Sequence, residues 1–553
     1  MKNRFIKISV LFIMVTGCFA FAADNYFELS KNMDVFSALY KDVNTYYVDD
    51  VEPSKLMRNC IDGMLKTLDP YTNYFSESQI ENARIHQGGK FGGLGIETEI
   101  INSYPVITSV WQGQPADKAG IKTGDIIKAI DGATTQNRTQ EEVDKFLIGQ
   151  PKSTVSLQIE RRSALAETKQ LTLSITREEI QETSVPFYGM LNPQVGCIKL
   201  KIFNDNAGRD VKDAFDSLKR ANPNMKGIIL DLRDNPGGLL NEAVNIVNIF
   251  VDKNNLVVTT KGKVDEWNNS FTTMSDPSDT KIPVVIITNS MSASASEIVS
   301  GTMQDYDRGV ILGQKTYGKG LVQVTKMLSY NTMLKVTTAK YYIPSGRCIQ
   351  AINYAERNED GSVKRIPDSL KVAFKTKAGR QVWDGGGIDP DVQMPKEEHS
   401  KVAETIYTKH YFFDYATQYA LLHPTIVDAA QFKLTDADYN DFVAYVKTKD
   451  YSYKTDTELK LDALKETATD EKYFDALQAE YNLIRAKLDK DKEQDLINHK
   501  DEIRTILENE IVGRYYYAYG KVKKKYQNDP EVSKAIELIN NPTEYNELLT
   551  AKK

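Results

Sequence analysis

Two apolar runs without polar alternation constrain the fold of this chain most: Ile228-Ile229-Leu230 and Val284-Val285-Ile286-Ile287. Such runs are typical of strands buried on both faces of a parallel sheet. Both lie where strand and helix patterns alternate, between Gly196 and Gly313. This alternation predicts an α/β core with a partly parallel sheet, and the two runs mark its centre.

The elements predicted for this core follow the chain in strand and helix order. They are strands at Gly196–Lys201, Gly227–Leu232, Val284–Thr288 and Val310–Gly313, and helices at Asp210–Arg220, Leu239–Phe250 and Ala295–Tyr306. With 553 residues, the chain is too long for a single hydrophobic core, so we expect a multidomain α/β protein.

We place the α/β core at residues 178–395 and expect three further regions, two before it and one after it. Residues 25–80 have helical spacing and predict two or three amphipathic helices that end near Leu68-Asp69-Pro70-Tyr71. The pattern from Gly92 to about Thr176 predicts a small β-rich domain with two short helices, one opened by Thr139-Gln140-Glu141-Glu142. Residues 396–553 predict only helices, for assembly or partner binding or for packing onto the core.

The first residues predict a secretory signal peptide over residues 1–22. Positive charges precede an apolar run from Ile8 to Val15, and Ala20-Phe21-Ala22 follows as a small-residue cleavage site. We therefore expect export, to the periplasm or cell envelope. Val15-Thr16-Gly17-Cys18 leaves open a lipoprotein signal, with a lipid tether at Cys18.

The overall charge and the cysteines exclude some classes of function. A formal net charge of -6 argues against nucleic-acid partners. Cys60, Cys197 and Cys348 are widely separated and odd in number, which suits neither a disulfide scaffold nor a zinc site. We expect isolated buried thiols, with a Cys197–Cys348 bridge as the alternative.

Ser292-Ala293-Ser294-Ala295-Ser296-Glu297 is the first candidate for catalytic chemistry. It follows a predicted buried strand and opens an apolar helix. A helix amino terminus offers unpaired N–H groups to a developing oxyanion, so it suits a nucleophile. The alternative is that these serines only cap the helix.

A lysine is the candidate base for such a serine. None of the histidines, His86, His399, His410, His423 and His499, falls within the α/β core. Lysine can replace histidine when burial lowers its pKa. Lys319 lies between Gly318 and Gly320, which allow close backbone approach, and Gln323 follows on a strand-like segment where its amide could orient the amine.

A glycine turn, Asp231-Leu232-Arg233-Asp234-Asn235-Pro236-Gly237-Gly238, is the third candidate. It follows a buried strand, and its glycines can turn an N–H toward a substrate carbonyl. Standing alone, it would be an ordinary turn. A nucleotide-binding loop around Gly313 to Lys319 is excluded, because Gly320 occupies the position of the magnesium-binding hydroxyl.

In this order, these motifs resemble the carboxyl-terminal processing proteases, also called tail-specific proteases. The resemblance covers residues 30–395 and includes Gly93-Leu94-Gly95-Ile96 and Gly386-Gly387-Ile388-Asp389-Pro390. It implies a serine endopeptidase with Ser294 as nucleophile, Lys319 as base and Gln323 supporting the lysine. It also implies oxyanion donors at the Ala295 N–H and at Gly237 or Gly238, with Gly237 preferred. No metal or cofactor is expected.

The same resemblance implies that residues 83–177 form a PDZ domain whose carboxylate-binding loop is Gly93, Leu94, Gly95 and Ile96. Backbone N–H groups in such a loop can hold a terminal carboxylate. The expected partners are therefore protein substrates with free, apolar C-termini, and the helical C-terminal region is an expected site for an oligomer or adaptor. The alternative function is a catalytically silent PDZ scaffold protein.

Overall fold

The computed structural model describes residues 26–77, 79–80, 90–163, 167–357 and 362–551. The expected signal peptide and Cys18 lie outside these residues. The described residues divide into two compact units: one contains residues 26–76 together with Thr325–Val336, and the other contains the remaining described residues. Within the described part of the chain, no helix is long and apolar enough to cross a membrane.

The described part of the first unit contains helices, one short strand, and the ends of two longer strands at Thr325–Met327 and Met333–Val336. Helix α1 spans residues 26–46, helix α2 spans Pro53–Lys66, and strand β1, Asn73–Phe75, pairs antiparallel with Met333–Lys335. After α2, Asp69 Oδ1 accepts hydrogen bonds from the N–H groups of Tyr71 and Thr72, both at 2.8 Å. This turn ends the helical region, as predicted; strand β1 was not predicted.

The small β-rich domain is an antiparallel sheet with two helices. Its elements are β2 Lys90–Gly93, β3 Ile96–Ile101, β4 Tyr104–Val110, α3 Pro115–Lys118, β5 Ile126–Ile130, β6 Ala133–Thr134, α4 Gln140–Leu147, β7 Thr154–Arg162 and β8 Thr168–Thr176. The sheet order is β3-β4-β5-β7-β8, so β3 is an edge strand. Thr139 and Glu142 form the predicted capping box of α4.

The α/β region continues from β9, Glu178–Gln181, which pairs with β2. Its further elements are β10 Phe187–Met190, β11 Val195–Lys199, α5 Ala207–Ala221, β12 Gly227–Asp231, α6 Leu240–Phe250, β13 Leu256–Gly262, β14 Asn269–Thr272, β15 Val284–Thr288, α7 Ala295–Asp305, β16 Val310–Gly313, β17 Leu321–Met327, β18 Met333–Tyr342, β19 Ile352–Arg357, β20 Val363–Arg365, β21 Ala373–Lys375, β22 Gln381–Trp383 and β23 Val392–Gln393.

The central sheet has the order β10-β11-β12-β15-β16-β23 and is parallel from β11 onward, while β10 pairs antiparallel with β11. The partly parallel sheet is therefore confirmed, with the two apolar runs at its centre. A second sheet was not predicted: β13 pairs antiparallel with β14 and β18, and β17 pairs with β18.

The C-terminal region is helical, as predicted. Its helices are α8 Lys401–Thr408, α9 Tyr411–Leu422, α10 Asp436–Lys447, α11 Asp456–Asp470, α12 Phe474–Lys492, α13 Asp495–Asn498, α14 Lys500–Lys525, α15 Pro530–Asn540 and α16 Pro542–Leu548. Buried side chains of α8, α9, α10 and α14 form an apolar cluster of their own.

Helices α15 and α16 instead cover one face of the central sheet. Ile228 and Leu230 of β12 pack with helices α5 to α7, whereas Ile229 packs with Val532 and Leu538 of α15. Both faces of the strand are thus buried, which explains its apolar run. Of the two roles predicted for the C-terminal helices, partner binding or packing onto the core, α15 and α16 have the second.

Candidate active site

Ser294 lies at the turn between β15 and α7, in a backbone conformation that its neighbours do not share. Its φ is 56° and its ψ is -113°, a sparsely populated region that costs a non-glycine residue about 1–3 kcal/mol. The two flanking serines make structural hydrogen bonds: Ser292 Oγ donates to Leu232 O at 2.8 Å and Ser296 Oγ donates to Asn235 O at 3.0 Å. Of the three serines only Ser294 has a positive φ, so the backbone strain falls on the middle serine.

Glu297 joins the serine turn to the lysine loop. The backbone N–H groups of Ser294 and Lys319 donate to its Oε2 at 2.8 and 2.9 Å. Its Oε1 accepts from Thr316 Oγ1 at 2.6 Å and from the Gly318 N–H at 2.8 Å. All four contacts are donors to the carboxylate, so the ionised form is the one that satisfies them.

The ionised form of Glu297 is nevertheless costly, because the side chain is fully buried. Burial raises the pKa of Glu297 to about 7, against the opposing effect of the hydrogen bonds it accepts. A carboxyl poised near neutrality beside a nucleophile is a feature that active sites share. The sequence motif contained this residue, but nothing in the sequence assigned it a role.

The glycine loop packs directly against the serine turn. Asn235 O accepts a hydrogen bond from the Ala293 N–H at 3.0 Å. A methyl group on Gly237 would lie 2.7 Å from the Ala293 carbonyl oxygen and 2.9 Å from the Ala295 nitrogen. Only a glycine allows this approach, so the predicted meeting of loop and helix amino terminus is observed.

The N–H groups near Ser294 differ in their partners. The Gly237 N–H donates to Asn235 Oδ1 at 2.9 Å. Within the described part of the chain, the N–H groups of Gly238 and Ala295 make no hydrogen bond. The Gly237 N–H therefore holds its own loop, whereas the Gly238 and Ala295 N–H groups have no partner among the described residues.

The lysine loop is fixed by close backbone contacts on both sides of Lys319. Gly318 has a φ of 89°, and a methyl group on it would lie 2.4 Å from Ala351 Cβ. Gly318 O accepts from the Ala351 N–H at 2.9 Å, and the Gly320 N–H donates to Gln350 Oε1 at 2.7 Å. The flanking glycines do allow the close approach expected of them.

Tyr341 and Gln323 lie on the second sheet. The Tyr341 hydroxyl is 3.1 Å from the Ser294 carbonyl oxygen and also contacts the Lys319 carbonyl oxygen, so it bridges the two backbone segments. Gln323 Nε2 donates to Thr337 Oγ1 at 3.2 Å. Sequence reasoning missed Tyr341, because strand β18 gives no local signal that it reaches the serine turn.

The loop between β2 and β3 has the features of a carboxylate receptor. Leu94 O accepts from the Ala116 N–H and Gly95 O accepts from the Trp111 N–H, both at 2.9 Å. The N–H groups of Leu94 and Gly95 have no hydrogen-bond partner among the described residues. Gly93 ends β2 and Ile96 begins the edge strand β3, to which an extended peptide can add.

Beside this edge, the apolar side chains of helix α4 differ in how far they are buried. Val143 and Leu147 of α4 are buried in the core of the β-rich domain, while Phe146 packs against that core only in part. The Arg138 guanidinium lies 4.9 Å from the centre of the Phe146 ring. Phe146 is therefore the one of the three that remains partly open to a ligand.

The structure describes no cluster of three or more histidine, cysteine, aspartate or glutamate side chains that could hold a metal ion, within the residue ranges given above. Cys60, Cys197 and Cys348 are all free thiols. The expectation of isolated thiols is confirmed, and Cys197 and Cys348 form no bridge, but only Cys197 is buried, while Cys60 and Cys348 are half-buried.

Family models match three parts of the chain. The model of peptidase family S41 matches residues 194–356, that of the PDZ domain matches residues 92–176, and that of the "Probable PDZ-protease, C-terminal helical domain" matches residues 402–539. The matches agree with the PDZ domain, the α/β peptidase core and the helical C-terminal region that were expected.

Curated relatives align over most of their length. A carboxy-terminal-processing protease of Bartonella bacilliformis is 35% identical over 58% of this chain and 73% of its own. A CtpA-like serine protease of Staphylococcus aureus is 34% identical over 63% of this chain and 70% of its own. Among solved structures, the photosystem II D1 C-terminal processing protease is 25% identical, covers 65% of this chain and 92% of its own, and superposes with a TM-score of 0.35.

The resemblance inferred from the motifs is therefore confirmed by the sequence comparisons. The chain is a serine-type peptidase that belongs to peptidase family S41, the carboxy-terminal-processing proteases.

Proposed function

We propose that this chain is an exported endopeptidase that cuts proteins with a Ser294/Lys319 pair and recognises them by their carboxyl-terminal ends. The observation that carries the catalytic part is the shared acceptor of the two residues, since both backbone N–H groups bind Glu297 Oε2. The names of the relatives, which process carboxyl termini, support the choice of substrate.

The reaction is acyl transfer. Ser294 Oγ attacks the carbonyl carbon of the scissile peptide bond, and Lys319 Nζ takes the hydroxyl proton. The resulting oxyanion accepts hydrogen bonds from the N–H groups of Ala295 and Gly238. Lys319 then gives the proton to the leaving amine, and a water molecule, deprotonated in turn by Lys319, releases the acyl group from Ser294. Gln323 orients the lysine amine.

Substrate recognition belongs to the PDZ domain. The N–H groups of Leu94 and Gly95 hold the terminal carboxylate, and the substrate tail adds as a strand beside β3, between Gly93 and Ile96 on one side and α4 on the other. An apolar last residue packs near Phe146, which is only partly covered by the domain's own core. Export through the signal peptide of residues 1–22 puts the enzyme in the cell envelope, with a tether at Cys18 as the alternative.

The proposed division of the chain keeps the segments 1–22, 25–80, 83–177, 178–395 and 396–553. The helical region of residues 396–553 remains a proposed site for an oligomer or adaptor, and helices α8, α9, α10 and α14 within it bury a cluster separate from the peptidase core.

The experiment is to incubate the purified chain with a protein whose carboxyl terminus is apolar and to identify the products by mass spectrometry. We expect internal cuts and equal rates with and without a chelator. Products shortened one residue at a time, or activity abolished by the chelator and restored by a metal ion, would contradict the proposal. Sequencing the amino terminus of the exported protein tests processing near residue 22.

A further inference from the structure

Arg233, in the glycine loop, is a buried cation with one partner close by in the chain and two in the C-terminal region. Its guanidinium binds Asp231, with Nη2 2.7 Å from Asp231 Oδ2. Its Nη1 lies 2.7 Å from Asp529 Oδ2 and 2.7 Å from Glu531 Oε2. Only 8% of the arginine is exposed, so these ion pairs are shielded from solvent. The loop that carries Gly237 and Gly238 is thus attached to the start of α15.

Glu531 also reaches the segment that leads into the lysine loop. Its Oε1 accepts a hydrogen bond from Gln314 Nε2 at 2.7 Å, while its Oε2 binds Arg233. Gln314 follows β16 directly and precedes Lys319 on the same connection, and its carbonyl oxygen accepts from Thr288 Oγ1 at 3.0 Å. One carboxylate therefore contacts both connections that carry the proposed catalytic groups.

Asp529 fixes where Glu531 is placed. As the N-cap of α15, its Oδ1 accepts from the N–H groups of Glu531 at 3.0 Å and Val532 at 3.1 Å, while its Oδ2 binds Arg233. The Tyr526 hydroxyl donates to Asp231 Oδ2 at 2.6 Å. Although burial opposes it, the positive charges of Arg233 and Lys199 hold the pKa of Asp231 below its ordinary value. The Asp231 carboxylate is therefore charged.

We propose that Glu531 and Asp529 are positioning residues for the peptidase reaction: from the C-terminal helix α15, they hold the oxyanion loop through Arg233 and the lysine loop through Gln314. This inference rests on the proposed function. It assigns to the C-terminal region a part in the chemistry of the core, in addition to any role in binding partners. Removing the Glu531 carboxylate leaves the buried Arg233 guanidinium with Asp231 and Asp529 as its only ion-pair partners, which moves the attached loop.

The helix itself does not depend on these charges for docking. Val532, Ala535, Leu538 and Ile539 of α15 are buried against the central sheet. A change confined to the carboxylate should leave α15 in place and displace only the loops. Small displacements of oxyanion donors or of a base lower the rate of the chemical step rather than substrate affinity, because the tail binds elsewhere.

The test is Glu531→Gln in the full chain, with steady-state cleavage of a tail-bearing substrate. We expect kcat to fall by about 10- to 100-fold while KM changes by less than about three-fold. The matched control is Glu537→Gln, the same change on an exposed residue of the same helix whose carboxylate binds Lys534 at 2.9 Å; it should retain wild-type kcat. An unchanged kcat in Glu531→Gln would overturn the inference.

A second variant covers the outcome that Glu531→Gln does not fold. Gln314→Met removes the contact with Glu531 Oε1 and a longer one of 3.4 Å with Pro395 O, and it leaves the Arg233 ion pairs intact. It should lower kcat with KM unchanged; wild-type kcat in this variant would also overturn the inference. Wild-type chain and Ser294→Ala are assayed alongside. If the wild type does not cleave, or Ser294→Ala does, the proposed function fails, whereas wild-type kcat in the α15 variants refutes the positioning role alone.

Discussion

The backbone N–H groups of Ser294 and Lys319 donate to the same atom, Oε2 of Glu297, at 2.8 and 2.9 Å. The two residues come from different loops of the α/β core. A single buried carboxylate oxygen therefore sets the spacing between the proposed nucleophile and the proposed base. Tyr341 provides a second link between the same segments, because its hydroxyl lies against both carbonyl oxygens.

The stability of the chain should depend on pH through Glu297. Burial raises the pKa of Glu297 from the ordinary 4.5 to about 7, so the folded chain holds this proton more tightly than the unfolded chain. The contribution of this group to the free energy of unfolding is present below pH 4.5 and is lost as the pH rises through 7. Between pH 5 and pH 8 the loss amounts to about 2–3 kcal/mol.

Urea unfolding of the wild type and Glu297→Gln at both pH values measures this contribution. The wild type should lose more stability between pH 5 and pH 8 than the variant, by about 2–3 kcal/mol. Equal losses in the two chains would show that Glu297 titrates normally.

The activity should change in the opposite direction to the stability as the pH rises. We expect kcat to increase as Glu297 ionises near pH 7, since only the carboxylate accepts all four of its hydrogen bonds.

Gly238→Ala should inactivate the enzyme. The added methyl group would lie 2.3 Å from the Phe203 carbonyl oxygen, and the residue has a φ of 146°, so the loop must shift. We expect cleavage to fall by at least about 100-fold, as for the loss of an oxyanion donor. Gly63→Ala is the control: no atom lies within 4 Å of the methyl position in helix α2, and alanine there should raise stability by about 0.5–1 kcal/mol.

Lys319→Arg should be inactive although it keeps the charge, because a guanidinium cannot accept the serine proton at any ordinary pH. The rate of peptide cleavage measures this directly. Lys326→Arg makes the same change on an exposed residue of strand β17, and this control variant should stay active. Substantial cleavage by Lys319→Arg would remove Lys319 from the role of base.

Amidating the last residue of a substrate should slow its cleavage, although the scissile bond is untouched. The amide removes the negative charge that the N–H groups of Leu94 and Gly95 are proposed to hold. A substrate ending in aspartate should also be cut slowly, because an ionised group is costly in an apolar pocket. Equal rates for free and amidated substrates would contradict tail recognition by the PDZ domain and leave the Ser294 chemistry unaffected.

The sequence predicted those features that depend on local pattern. The strands Val284–Thr288 and Val310–Gly313 have the predicted bounds, and Thr139 caps its helix as expected, since periodicity and capping act within a few residues. The glycines around Lys319 were informative for the same reason. A glycine indicates that another segment approaches the backbone closely, even when the sequence does not show which segment it is.

Features that depend on distant parts of the chain could not be predicted. Nothing near Arg233 indicates that its partners are Asp529 and Glu531, and nothing in β18 indicates that Tyr341 reaches Ser294. The partner of the Gly237 N–H likewise depends on the position of the Asn235 side chain, which no local pattern indicates. Such contacts are set by tertiary packing, which leaves no period or spacing in a single sequence.

The central claim, that Ser294 is the nucleophile, is tested most directly by the cleavage rate of Ser294→Ala beside that of Ser300→Ala. Ser300 lies on the same helix, and its Oγ donates to Ser296 O at 2.8 Å, away from the turn. We expect Ser294→Ala to lose at least about 1,000-fold in kcat/KM while it still binds substrate tails, and Ser300→Ala to stay within about ten-fold of wild type. Cleavage by Ser294→Ala at a rate close to that of Ser300→Ala would contradict the account.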